Sequence, residues 1–152
     1  MRPIKFKAWD KKEKEICAVT RLEFVMGGYV ARGQFGWYGT GWEEIEEFFL
    51  KNRRYVLMQY TGLEDAYGIE IYENDIINIR EHKYVIVFSE RWGRYMAVDV
   101  DIINKWLEEG QPMGEEYDVF GFDEDEARQC VKIGNIYEKG DNYGSKMHND
   151  KS

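Results

Sequence analysis

The chain has 152 residues, 43% hydrophobic and 16% aromatic, with 33% charged residues and a formal net charge of -8. That length suits one domain or two small lobes with a real core. It contains no continuous apolar stretch of the roughly 20 residues needed to span a bilayer, and the first residues lack the apolar core of a secretory signal. The charge is uneven: residues 1–54 carry 11 Lys/Arg against 8 Asp/Glu, and residues 55–152 carry 10 against 21.

In chain order, Ile4, Phe6 and Ala8 alternate with Lys5, Lys7 and Trp9, the period of a half-buried strand. A polar turn over 10–15 leads to a return strand over 16–19, and Leu22 and Phe24 predict a third before Gly27-Gly28. These form an antiparallel meander. Its basic residues (Arg2, Lys5, Lys7, Lys11, Lys12, Lys14) match a solvated face better than a phosphate site. Residues 33–42 read GQFGWYGTGW, glycine dense enough to predict a loop. The spacing misses the dinucleotide pattern, and Glu43, Glu44, Glu46 and Glu47 would repel a phosphate. Thr40 and Glu43 match a capping box, and Trp42, Ile45, Phe48 and Phe49 make an apolar stripe at helical spacing. With acids first and Lys51, Arg53 and Arg54 last, the segment reads as one amphipathic helix.

Tyr55 to Ile79 is the organising stretch. Tyr55-Val56-Leu57-Met58 is strand-like, residues 64–68 form a turn, and an Ile- and Tyr-rich run follows. Strands are expected at 75–79, 84–88 and 95–100, with turns at 81–83 and 90–93. Asp99 or Asp101 would cap a short helix through Ile102, Ile103, Trp106 and Leu107 that stops at Gly110. Asp123 and Glu126 suggest a second capped turn, and residues 131–137 a last strand. The polar composition of 141–152 predicts a flexible tail.

No catalytic, cofactor or metal constellation stands out. His82 and His148 lack neighbouring partners, and Cys17 and Cys130 have no ligand spacing and read as buried structural thiols of a reduced, cytoplasmic protein. Asp99-x-Asp101 and the acids at 123–126 fail the EF-hand pattern. Trp37, Tyr38, Trp92 and Arg94 fall in expected loops and are of the types enriched in protein interfaces, so they are the candidate partner-binding residues. The net charge argues against DNA, leaving the basic meander as the alternative route to a nucleic acid.

Three blocks carry a family resemblance: IKFKAWDKKEKE at 4–15, MQYTGLEDAYGIEIYENDII at 58–77 and IGNIYEKGD at 133–141. In order and spacing they resemble the YopX family of phage and prophage proteins. The resemblance implies a small β-rich protein whose C-terminal part is an SH3-like small barrel; joined to the meander and helix read from residues 1–54, the expectation is a mainly β (β-rich α+β) chain with that barrel over 55–140. Residues near 101–117 would be inserted in that barrel. The family brings no catalytic residues and its role is uncharacterised; together with the lack of a reactive constellation, the expectation is a non-enzymatic accessory protein in the host bacterial cytoplasm, with an unknown phage or host protein as partner, homo-oligomerisation as a further option and no cofactor. The chain departs from the family pattern at Asn74, where the family has Gly, at Tyr67, where it has Asn, and at 138–141. Asn tolerates left-handed backbone, so the turn at 74 is expected to survive.

Overall fold

The computed structural model describes residues 3–25, 28–36, 42–49, 54–113 and 118–138. Two compact units divide between Tyr60 and Thr61. The expected tail over 141–152 lies outside the described residues.

The first unit is an antiparallel sheet of β1 (Phe6–Asp10), β2 (Glu15–Val25), β3 (Gly28–Gly36), β4 (Trp42–Phe49) and the start of β5 (Tyr55–Glu64), in the order β4-β3-β2-β1-β5. The short central β1 pairs with β2 through Ala8↔Cys17 and with β5 through Ala8↔Leu57. Ala8, Cys17 and Tyr55 are buried with Val19, Leu22 and Leu57 packed around them. Small residues at 8 and 17 let the larger flanking chains close over the strands.

Three expectations are corrected in this unit. Residues 16–19 and 22–24 belong to one strand, β2, which absorbs the irregularity as a register shift between Val19 and Arg21 instead of turning. Residues 33–36 of the expected loop complete β3. Most importantly, the expected amphipathic helix is a strand: Trp42–Phe49 pairs with β3 through Val30↔Phe49, Ala31↔Phe48 and Gly33↔Ile45. Aromatic and β-branched residues suit a strand as well as a helical stripe, and the β3 ladder decides between them. Thr40 and residues 51–53, which would have capped and closed the helix, lie outside the described residues.

The second unit begins with the end of β5, beside which β6 (Glu70–Tyr72) is laid. Then follow β7 (Asp75–Ile79), β8 (His82–Ser89), β9 (Arg94–Asp99), α1 (Ile103–Glu108), β10 (Val119–Gly121), α2 (Glu124–Ala127) and β11 (Val131–Asn135). Five of these strands form an open antiparallel sheet in the order β10-β9-β8-β7-β11. Both faces are apolar. Tyr84, Ile86 and Ala97 meet Ile71, Phe122, Ala127 and Cys130 in one cluster, and Val85, Met96 and Val98 meet Ile103, Trp106 and Val119 in another. That explains why 84–87 reads as a continuous apolar run: neighbouring side chains alternate between two covered faces, and the cover ends before exposed Phe88.

The turns are tight. Arg80 and Glu81, not 81–83, link β7 to β8 across the Ile79↔His82 pair, both with positive φ (51° and 72°), as a two-residue hairpin needs. Asn74 has φ 69°, so the left-handed position survives the change from Gly. The helix α1 stops at Gly110, φ 81°, as expected. Its N-cap position is Ile102, while Asp99 instead accepts a bond from the Asp101 amide at 2.8 Å. The expected box at α2 is present, with the Asp123 N–H donating to Glu126 at 3.3 Å. The last strand ends at Asn135, whose side-chain oxygen accepts from the amides of Tyr137 (2.8 Å) and Glu138 (2.6 Å) and so turns the chain. No helix among the described residues is long and apolar enough to cross a membrane.

Candidate interaction surface

The loop end of the β8–β9 hairpin brings together the most distinctive exposed side chains. Its anchor is Ser89, fully buried, whose hydroxyl accepts from the Trp92 amide at 3.2 Å and donates to Gln111 Oε1 at 2.7 Å. Gln111 stands after α1 in a left-handed conformation, φ 61°, with its amide bonded to the Trp106 carbonyl. The Trp92 indole N–H donates to the Gln111 carbonyl at 3.0 Å, and Arg91 donates to the Gly110 carbonyl at 3.3 Å. The hairpin turn is thus stitched to the loop that follows α1. Trp92 nevertheless remains 40% exposed, with the Arg91 guanidinium 5.3 Å from its ring centroid.

On the same hairpin Phe88 is 46% exposed and meets Tyr95 edge-on, with centroids 5.3 Å apart. Arg94, cross-strand from Ser89, lays its guanidinium over Gly121 so closely that a Cβ there would collide with it. Its ion pair with Asp123 is long, 3.6 Å, and both side chains are at least half exposed, so it adds little stability. Phe88, Arg91, Trp92 and Arg94 therefore share one hairpin end. Of the four sequence candidates, Trp92 lies in the expected turn, while Arg94 is the first residue of β9 and not in a loop; both fall at this hairpin end, and Trp37 and Tyr38 lie outside the described residues. The sequence reading missed Phe88 by placing it inside a strand. The signal was available, since Phe88 is the last large residue before a turn and strand ends are where a face runs out of cover.

Two buried polar networks, both missed by the sequence reading, hold the units in shape. In the first, Asp10 accepts from Arg54 at both carboxylate oxygens (2.9 Å each) and from the Lys12 amide at 2.9 Å. The Arg54 bonds outweigh burial and hold the Asp10 carboxyl below its ordinary value. In the second, Asp65 accepts from the amides of Tyr67 (2.8 Å), Ile69 (3.0 Å) and Lys132 (2.9 Å). Burial pushes the Asp65 carboxyl up, but these bonds and the Lys132 charge together leave it lowered. Lys132 also pairs with buried Asp75 at 2.9 Å. The thiols of Cys17 and Cys130 are free and buried, and burial, reinforced by Asp10 and Asp65 respectively, pushes each up to about 12. Both are therefore un-ionised near neutrality, and a poor nucleophile.

Among the described residues no three His, Cys, Asp or Glu side chains group as metal ligands. The acidic clusters are instead engaged locally, Asp99 in its turn and Asp123 with Glu126 in the cap of α2. His82 is exposed at the start of β8, and His148 lies outside the described residues.

These features define a mainly β protein of two units, organised by buried carboxylates and presenting an aromatic and cationic hairpin end. The family model for the YopX protein matches residues 5–141, and the chain belongs to the YopX family. Among solved structures, the chain is similar to one titled "Crystal structure of protein EF1440 from Enterococcus faecalis". The two are 26% identical over 94% of this chain and 99% of that one, with a TM-score of 0.57. A comparison with curated proteins gave no match.

Proposed function

We propose that this protein is a non-enzymatic accessory protein of a bacteriophage or prophage, acting in the host bacterial cytoplasm by binding another protein through the β8–β9 hairpin end. The observation that carries the reading is part-exposed Trp92 with the Arg91 guanidinium over its ring, on a turn fixed by Ser89 and Gln111, with exposed Phe88 and Arg94 on the strands of the same hairpin end. Aromatics and Arg are the side chains that dominate binding energy at interfaces, and a turn already held in place loses little freedom on binding. Self-association is a compatible use of the same surface.

The finer architecture belongs to the same proposal. The order β10-β9-β8-β7-β11, with a short helix before a last strand that returns to β7, supports an SH3-like arrangement for the second unit. Such a fold offers surfaces and does not by itself define chemistry.

A second reading, association with nucleic acid, rests on Lys11, Lys12 and Lys14, all exposed on the β1–β2 turn. The net charge of -8 weighs against it. The two readings separate in parallel captures from phage-infected host lysate and on immobilised DNA. Protein binding predicts a recurrent partner captured by the wild type and lost with the Trp92→Ser/Arg94→Ser variant, with no DNA retention at low salt. Salt-sensitive retention on DNA, unaffected by that variant, would replace the first reading with the second.

A further inference from the structure

A different part of the second unit, independent of the hairpin reading, shows the marks of a second contact surface. The turn joining β5 to β6 carries Tyr67, 77% exposed, and Ile69, 51% exposed. Val131, 37% exposed, stands between Cys130, whose carbonyl accepts from the Ala66 amide at 3.0 Å, and Lys132, whose amide donates to Asp65 at 2.9 Å. These bonds bring the start of β11 against the turn that carries Tyr67 and Ile69.

The turn is held more firmly than its length requires. Asp65 accepts from the Tyr67 and Ile69 amides through one oxygen, and its own N–H donates to the Ile69 carbonyl at 2.8 Å. The Gly68 amide closes on the Asp65 carbonyl at 3.0 Å, in a left-handed conformation, φ 81°. A buried, charged residue is thus spent on a turn whose tip is apolar. Stability alone would be served by a polar tip, whereas a preorganised apolar tip lowers the ordering cost of a contact.

The electrostatics choose the kind of occupant. Exposed Glu64 reaches over the turn, its Oε2 3.9 Å from where a Cβ at 68 would stand. The cation nearest in the hydrogen-bond network, Lys132, is turned to Asp75 at 2.9 Å and to the Glu70 carbonyl at 3.3 Å. The surface is apolar at its centre and anionic at its edge. We propose that the Asp65 turn is a docking element for a cationic amphipathic segment of a partner protein, with Tyr67, Ile69 and Val131 taking its apolar face and Glu64 its basic flank.

The probe is a fluorescein-labelled amphipathic Leu/Lys peptide, read by polarisation against the full chain, with a Leu/Glu peptide of the same pattern as control. The expected result is binding of the Leu/Lys peptide alone, weakened about tenfold in Tyr67→Ser/Ile69→Ser at unchanged net charge, a difference well resolved by titration. Leu107→Ser, at an exposed apolar residue of α1, is expected to bind as the wild type, and all variants to melt cooperatively. Equal binding by the double variant would overturn the proposal, because it would reduce the interaction to bulk charge. Equal binding of the Leu/Glu peptide would overturn it as well. Concentration-dependent sedimentation of the wild type that disappears in the double variant would assign the surface to a second copy instead.

Discussion

Asp10 and Asp65 do at the residue scale what a larger hydrophobic core does in bigger domains: each ties together segments that are distant in sequence. Asp65 bonds the amide of a residue 67 positions away. Replacing it with Ala leaves amides without acceptors, and urea titration should show a loss of about 2–3 kcal/mol. Both carboxyls are held below the ordinary 3.8 in the folded protein. A depressed carboxyl adds stability that is fully present above the unfolded value and is lost as pH falls through the folded one. Stability should therefore fall steeply below about pH 4, and the Asp10→Asn/Asp65→Asn variant, weaker at neutral pH, should show a shallower acid limb. Glu126 works in the opposite sense, since burial, and then the neighbouring Asp123 carboxyl, raise it. The thiols give a separate check. With both buried and pushed up to about 12, native protein should react with a disulfide reagent only as fast as it opens, and promptly in denaturant. The buried state of both cysteines was legible from their β-type neighbours. The Asp65 network was not, because an Asp in a turn reads as an ordinary turn former and nothing local points to Lys132.

At the scale of elements, the hairpins followed from local chemistry and the long-range pairings did not. The apolar runs at 55–58, 75–79 and 84–88 all fall in strands, and the Gly110 and Asp123 signals mark real helix ends. The segment 42–49 shows the limit of such reasoning. Trp42, Ile45, Phe48 and Phe49 fit a helical stripe and also satisfy β preference, and only the presence of β3 alongside settles the matter. A synthetic peptide spanning 40–54 should thus turn helical in trifluoroethanol, while the intact protein shows cross-strand contacts between Ala31 and Phe48 by NMR. Helical exchange patterns over 42–49 in the intact protein would contradict the strand. The β7–β8 turn offers a second check. Arg80 and Glu81 both occupy left-handed backbone, so Arg80→Asn/Glu81→Gly should raise stability by about 0.5–1 kcal/mol in thermal melts. A loss would mean that these two side chains do more than turn the chain.

For the molecule as a whole, the family resemblance was legible in three blocks, and the match over 5–141 extends it across most of the chain. Those blocks coincide with structural necessity. The first contains β1 and Asp10, the second contains Asp65, Asn74 and Asp75, and the third begins one residue after Lys132. What the blocks share is the framework; the exposed hairpin end, with Phe88, Arg91, Trp92 and Arg94, lies outside all three. A framework of that kind can carry different surfaces for different partners, which is how binding proteins diversify. The most direct measurement is site-specific photocrosslinking in infected host cells, with a benzophenone side chain placed at position 92 and, as control, at exposed Asp101. Binding through the hairpin end predicts a discrete adduct from position 92 that is absent from position 101 and is lost when Arg94 is changed to Ser. The same diffuse adducts from both positions, or none from either, would contradict it.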